Sequence, residues 1–74
     1  MNPYVRAAMM DLPNKTATVL AMVAVLFREP FALETLENYF VESDKKKVDE
    51  CFFCLVDKGY VRRTHDLKYI MVLR

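Results

Sequence analysis

Residues 43–63 read SDKKKVDECFFCLVDKGYVRR. Lys45, Lys46 and Lys47 open a segment of helical periodicity. Arg62 and Arg63 follow its end, with His65 and Lys68 a few residues on. Clustered cations can neutralise phosphates, and lysine or arginine can also read guanine in a major groove. A solvated helix end is the plainer alternative for the lysine run. Cations at a helix N-terminus oppose the macrodipole, however, so the run does not serve the helix itself, and this mild conflict favours a functional role.

Cys51 and Cys54 form a C-x-x-C pair. In redox motifs the first cysteine sits at a helix N-terminus, which stabilises its thiolate. Here both fall in mid-helix, Cys51 on the apolar stripe and Cys54 at its edge. A four-ligand zinc site would need two further ligands, and His65 is the sole histidine. Structural thiols are the favoured reading, with a redox switch and a metal site as alternatives. No cofactor is expected. Phe53 lies among polar neighbours and is a candidate for protein contact, for local packing, or for contact with a thymine methyl group. Ser43 is the sole serine and the chain has a single glycine, so no nucleophile triad or glycine-rich phosphate loop can be assembled, and His65-Asp66 reads as a turn. The chain is not expected to be an enzyme.

These residues belong to one small domain of 74 residues, 54% hydrophobic, with net charge +1. So much apolar surface exceeds what one small core needs, which favours self-association. Charge is unevenly placed. Residues 1–44 carry three basic and six acidic side chains, and residues 45–74 carry eight basic and four acidic. The basic back half suits an anionic partner. Two cysteines without disulfide-framework spacing fit a reducing, cytoplasmic setting. The apolar run TATVLAMVAVLF, 16–27, is too short to span about 30 Å of hydrocarbon as a helix. It also lacks the small-residue cleavage site of a signal peptide.

The elements that must position the cations follow from periodicity. A helix is expected over 2–12, with Asn2 as N-cap and Pro3 in its first turn. A second covers 14–28, capped by Asn14 and stopped by Pro30. It is apolar on all sides, so part of it should meet another chain. A third covers 33–40, with Leu33, Leu36 and Phe40 inward and Glu34, Glu37 and Asn38 outward. The fourth covers 44–58, with Ser43 as N-cap. Val48, Cys51, Phe52, Leu55 and Val56 share one side of it, and Lys46, Asp49, Glu50, Phe53 and Asp57 the other. Gly59 provides a left-handed stop. A β-hairpin over 60–73, turning at His65-Asp66, completes the chain.

Helices followed by a glycine and a basic hairpin form the order of a winged helix-turn-helix. Residues 47–63, K-V-x-x-C-x-x-x-L-V-D-K-G-Y-V-R-R, resemble the passage from recognition helix to wing in MarR-type and ArsR-type bacterial regulators. Val48, Leu55, Gly59, Val61 and Arg63 occupy the pattern positions, and the likeness covers about residues 16–73. It implies a mainly α fold with a C-terminal β-hairpin, a homodimer, and a DNA-binding transcription regulator. Helix 44–58 would enter the major groove of double-stranded DNA and the hairpin would be the wing. Implied DNA contacts are Ser43, Lys45, Lys46 and Lys47 with Arg62, Arg63, His65 and Lys68. The sequence departs from the pattern in three ways: no glycine precedes the fourth helix, the wing is short, and Asp49 and Glu50 lie on or beside the outer face, where they would repel phosphates. Those carboxylates favour the other reading, a protein-interaction module or inhibitor acting through Phe53. Tyr4, Met9 and Met10 are the expected partner-facing residues of the N-terminal helix.

Overall fold

A computed structural model describes residues 3–72. Four helices run in order: α1 (Pro3–Met10), α2 (Asn14–Leu26), α3 (Leu33–Glu37) and α4 (Lys45–Asp57). A single 3-10 turn, Glu42–Asp44, leads into α4. Two short antiparallel strands follow, β1 (Val61–Arg63) and β2 (Tyr69–Met71), with Arg62 opposite Ile70 and Arg63 opposite Tyr69. The fold is thus mainly helical with a C-terminal hairpin, as expected. Asn2 and Leu73, assigned to the first helix and the hairpin, lie outside the described residues.

α2 is the central element. α1 packs along one side and α4 along another. Thr16, Ala17, Val19, Leu20 and Val23 are buried between them. Burial against α1 and α4 accounts for the apolar residues on these two sides of α2. α1 is only eight residues long, about 12 Å, so it covers only part of α2. Val25 and Leu26, at the far end of α2, remain exposed.

α2 ends earlier than expected, at Leu26, and Pro30 is not what stops it. Phe27 is already extended, and its ring stacks on Phe31 with centroids 4.2 Å apart. Phe31 in turn bridges β2: its N–H donates to the Tyr69 carbonyl at 2.8 Å, and the Tyr69 N–H donates back at 2.7 Å. A lone residue between α2 and α3 therefore adds a third position to the sheet. Phe52 joins this cluster edge-on, 4.8 Å from the Tyr69 ring and 6.0 Å from Phe31. Phe52, Leu20, Leu36, Leu55, Val5, Val23 and Val61 are the largest fully buried side chains.

The expected caps are not formed. Asn14 is the first helical residue of α2 and Pro13 precedes it. The Asn14 carbonyl accepts a hydrogen bond from the Thr18 hydroxyl, 3.0 Å. Ser43 lies inside the 3-10 turn, and Asp44, which precedes α4, makes no side-chain cap. α3 is five residues, shorter than 33–40, because residues 38–40 tighten into turns. Glu37, expected outward, is half-buried.

Candidate nucleic-acid interface

The C-terminal stop of α4 sets where the hairpin begins. Gly59 takes φ +85°. The Gly59 N–H donates to Val56 O at 3.1 Å and the Tyr60 N–H to Leu55 O at 2.9 Å, the two bonds of a Schellman cap. The chain reverses and places Val61 in the core. Arg62 and Arg63 are then exposed on β1.

At the other end of α4 the lysine run divides. Lys45 is half-buried and pairs with Glu42, Nζ–Oε2 3.1 Å. That contact holds the Lys45 ammonium above its ordinary range. Lys46 and Lys47 are exposed. Glu42 and Asp44, in the turn just before α4, set negative charge beside the N-terminus that the lysines oppose. Ser43 is exposed.

The hairpin is joined by a three-residue loop, His65-Asp66-Leu67. The Thr64 N–H donates to Lys68 O at 2.8 Å and the Leu67 N–H to Thr64 O at 3.3 Å. Leu67 takes φ +65°, so the loop has the three-residue pattern that ends on a left-handed residue. His65-Asp66 alone is therefore not the turn. Thr64 organises it further: its hydroxyl contacts the Asp66 carboxylate, and the Lys68 N–H donates to Thr64 Oγ1 at 3.2 Å. The Thr64 hydrogen bond holds the Asp66 carboxyl below its ordinary range. Arg62, Arg63 and His65 line one shallow cleft beside Pro30 and Ile70. Lys68 lines a different one, beside Phe31, Ala32 and Thr35 at the start of α3. Lys47 lines a third cleft, of about 230 Å³, between α2 and α4 with Lys15, Thr18, Phe40 and Cys51. The eight expected contact residues thus do not converge on one pocket: Arg62, Arg63 and His65 share one cleft, Lys68 and Lys47 line two others, and Ser43, Lys45 and Lys46 line none of these.

Asp49 is not on the outer face of α4. It is half-buried, and its Oδ1 is shut off from solvent without a hydrogen-bonding partner. It meets Glu37 of α3, and hydrogen bonding with the Asp49 carboxyl, then burial and the Asp49 charge, raise the Glu37 pKa above the ordinary 4.5. One of the two carboxylates set against phosphate contact is therefore turned inward. Glu50 stays exposed.

Phe53 is 48% exposed, its ring edge-on to Phe52 at 5.9 Å. The N-terminal candidates separate: Tyr4 and Met9 pack against the chain's own core, and Met10 is 87% exposed. Tyr4 and Tyr60 rings lie 6.1 Å apart, tying α1 to the start of the hairpin. Cys51 and Cys54 are half-buried and form no disulfide. Among the described residues no group of three or more His, Cys, Asp or Glu side chains is arranged to hold a metal, and no helix is long and apolar enough to cross a membrane.

Three features escape a reading of the sequence: Lys15 in the cleft with Lys47, the Glu37–Asp49 contact, and Leu67 at the hairpin apex. The first two join residues far apart in sequence. The third has a signal, an apolar residue inside a polar turn. No protein-family model, curated protein or solved structure matches the chain.

Proposed function

We propose that the chain is a winged helix-turn-helix that binds double-stranded DNA and regulates transcription. α3 and α4 form the helix-turn-helix pair, and the hairpin is the wing. The element order supports this, as does the Phe31–Tyr69 bridge that gives the hairpin a third sheet position. The observation that carries the reading is the placement of charge. The first turn of α4 and the hairpin expose Lys46, Lys47, Arg62, Arg63 and Lys68, and within these two stretches only Asp66 opposes them. Exposed cations at the start of a helix and on the hairpin that follows its other end can meet the backbone of a duplex at separate points, although Glu42 and Asp44 lie just before the lysines. Lys45, held by Glu42, contributes least.

A homodimer belongs to the same reading, because a module with so few cations gains affinity from a second half-site. Met10, Val25 and Leu26 are the large exposed apolar residues of α1 and α2 left for its interface. The double variant Lys46→Ala/Arg63→Ala tests the DNA reading. By fluorescence anisotropy on duplex DNA it should bind more weakly, with a salt slope flattened by about 0.9 for each phosphate it no longer neutralises. Wild-type affinity and slope would remove these residues from the interface.

The exposure of Phe53 beside Glu50 and Asp57 favours a second reading, a protein partner docking on the outer face of α4. Phe53→Ala would abolish that binding and leave DNA affinity unchanged.

A further inference from the structure

The apex of the hairpin carries a residue that turn chemistry does not call for. Leu67 occupies φ +65°, a conformation that glycine, asparagine and aspartate tolerate and that leucine adopts at a cost. It is also 67% exposed, so it gains nothing from the core. Both features disfavour leucine here, and a strained, exposed apolar residue is a reason to look for a contact outside the chain.

The apex is firmly built. Thr64 ties its two sides together through its backbone and its hydroxyl, reaching Asp66, Leu67 and Lys68. Leu67 is thus presented on a preformed loop. The same hairpin exposes Arg62 and Arg63 on β1 and Lys68 next to Leu67, with His65 on the same loop. Asp66 is the one opposing charge, and it is engaged by Thr64. An apolar tip on a hairpin that exposes three cations complements a surface that is anionic outside and apolar within. The minor groove of duplex DNA is such a surface, with phosphates along its edges and stacked base faces inside.

We infer that Leu67 is a wedge that enters the minor groove and partly unstacks one base step, while the hairpin cations hold the flanking phosphates. This rests on the reading of the hairpin as a DNA-contacting wing and adds a specificity to it. Unstacking is least costly at pyrimidine–purine steps such as TpA, so the wedge selects those steps over stiff A-tracts without any hydrogen bond to a base. The hydrogen bonds Thr64 makes across the apex serve this, since a tip held in one conformation loses less entropy on insertion.

The test uses the full chain and two duplexes of about 20 base pairs, one with a central TpA step and one with ApA there, each carrying 2-aminopurine beside the step. At about 50 mM salt the wild type should bind the TpA duplex several-fold more tightly and raise its 2-aminopurine fluorescence. Leu67→Ala should lose both effects while keeping the wild-type salt slope. Leu67→Gly should do the same, and because glycine suits the left-handed position it also excludes misfolding as the cause. If Leu67→Ala keeps the TpA preference and the fluorescence rise, the wedge is overturned and the DNA reading stands. If the wild type binds neither duplex, the wedge falls together with the DNA reading, and an apex that contacts protein takes its place.

Discussion

Gly59 offers a clean test of how the hairpin is joined to α4, because the structure separates backbone cost from steric cost. Its φ is +85° and it donates the Schellman bond to Val56. A methyl group added there meets no heavy atom within 4 Å. Gly59→Ala therefore clashes with nothing, and its whole effect is conformational. Holding an L-residue in the left-handed region costs roughly 1–2 kcal/mol. Alanine recovers about 0.5–1 kcal/mol of this, since it gives up less chain entropy than glycine on folding. The net loss is about 0–1.5 kcal/mol, each kcal/mol being worth about 4–8 °C in Tm for a domain of this size. Urea unfolding followed by far-UV circular dichroism, with a thermal melt alongside, measures it. Gly59→Asn should lose less than the alanine variant, because asparagine tolerates the left-handed conformation. A gain in stability of about 0.4–1 kcal/mol in Gly59→Ala, as expected where φ is negative, would refute the left-handed cap. A loss well above about 3 kcal/mol would refute the open space around it.

Leu67→Gly should move stability the other way, by a few tenths to about 1 kcal/mol in the same urea assay, as it relieves a left-handed leucine that packs against nothing. Phe52→Ala removes the ring that joins α4 to Phe31 and Tyr69; a loss of about 3–5 kcal/mol is expected, a large share of the total stability of so small a domain, and loss of the cooperative transition in the urea melt would show it. Glu37 takes up its proton at higher pH in the folded chain than in the unfolded one. Stability should therefore rise as pH falls through the raised Glu37 pKa, with the gain complete below the ordinary value of 4.5. Asp49→Asn should reduce that slope, leaving the part due to burial, and add about 0.2–0.5 kcal/mol at neutral pH, the usual scale of a like-charge contact, and urea midpoints across the pH range check both.

How much of this is legible in the sequence differs from element to element. α4 is readable because Val48, Phe52 and Leu55 recur at helical spacing and Gly59 marks its end, all local signals. Gly59 fulfils its expected role in detail. The end of α2 is not readable, because its cause is tertiary. Phe27 leaves the helix to stack on Phe31, and Phe31 leaves the linker to pair with Tyr69 across some forty residues. A single bridging residue has no periodicity to read. A Ser43 cap is sound grammar, yet the chain enters α4 through a 3-10 turn, which uses Ser43 as a turn residue. The helical wheel of α4 alone turns Asp49 outward. The position of α3, which no local pattern encodes, makes that edge of the helix an interior one. Lys46, Lys47, Arg62, Arg63 and Lys68, and with them His65, are exposed, while Lys45 is drawn into a pair with Glu42, a partner that helical three-residue spacing already allows.

The most direct test of DNA binding is an anisotropy titration of duplex DNA with the wild-type chain at about 50 and 200 mM salt. If only two of Lys46, Lys47, Arg62, Arg63 and Lys68 meet phosphates, affinity should fall about 12-fold between these concentrations, and if all of them do, about 500-fold. Absence of binding at the lower salt, or an affinity indifferent to salt, would contradict the assignment of α4 and the hairpin to a DNA interface.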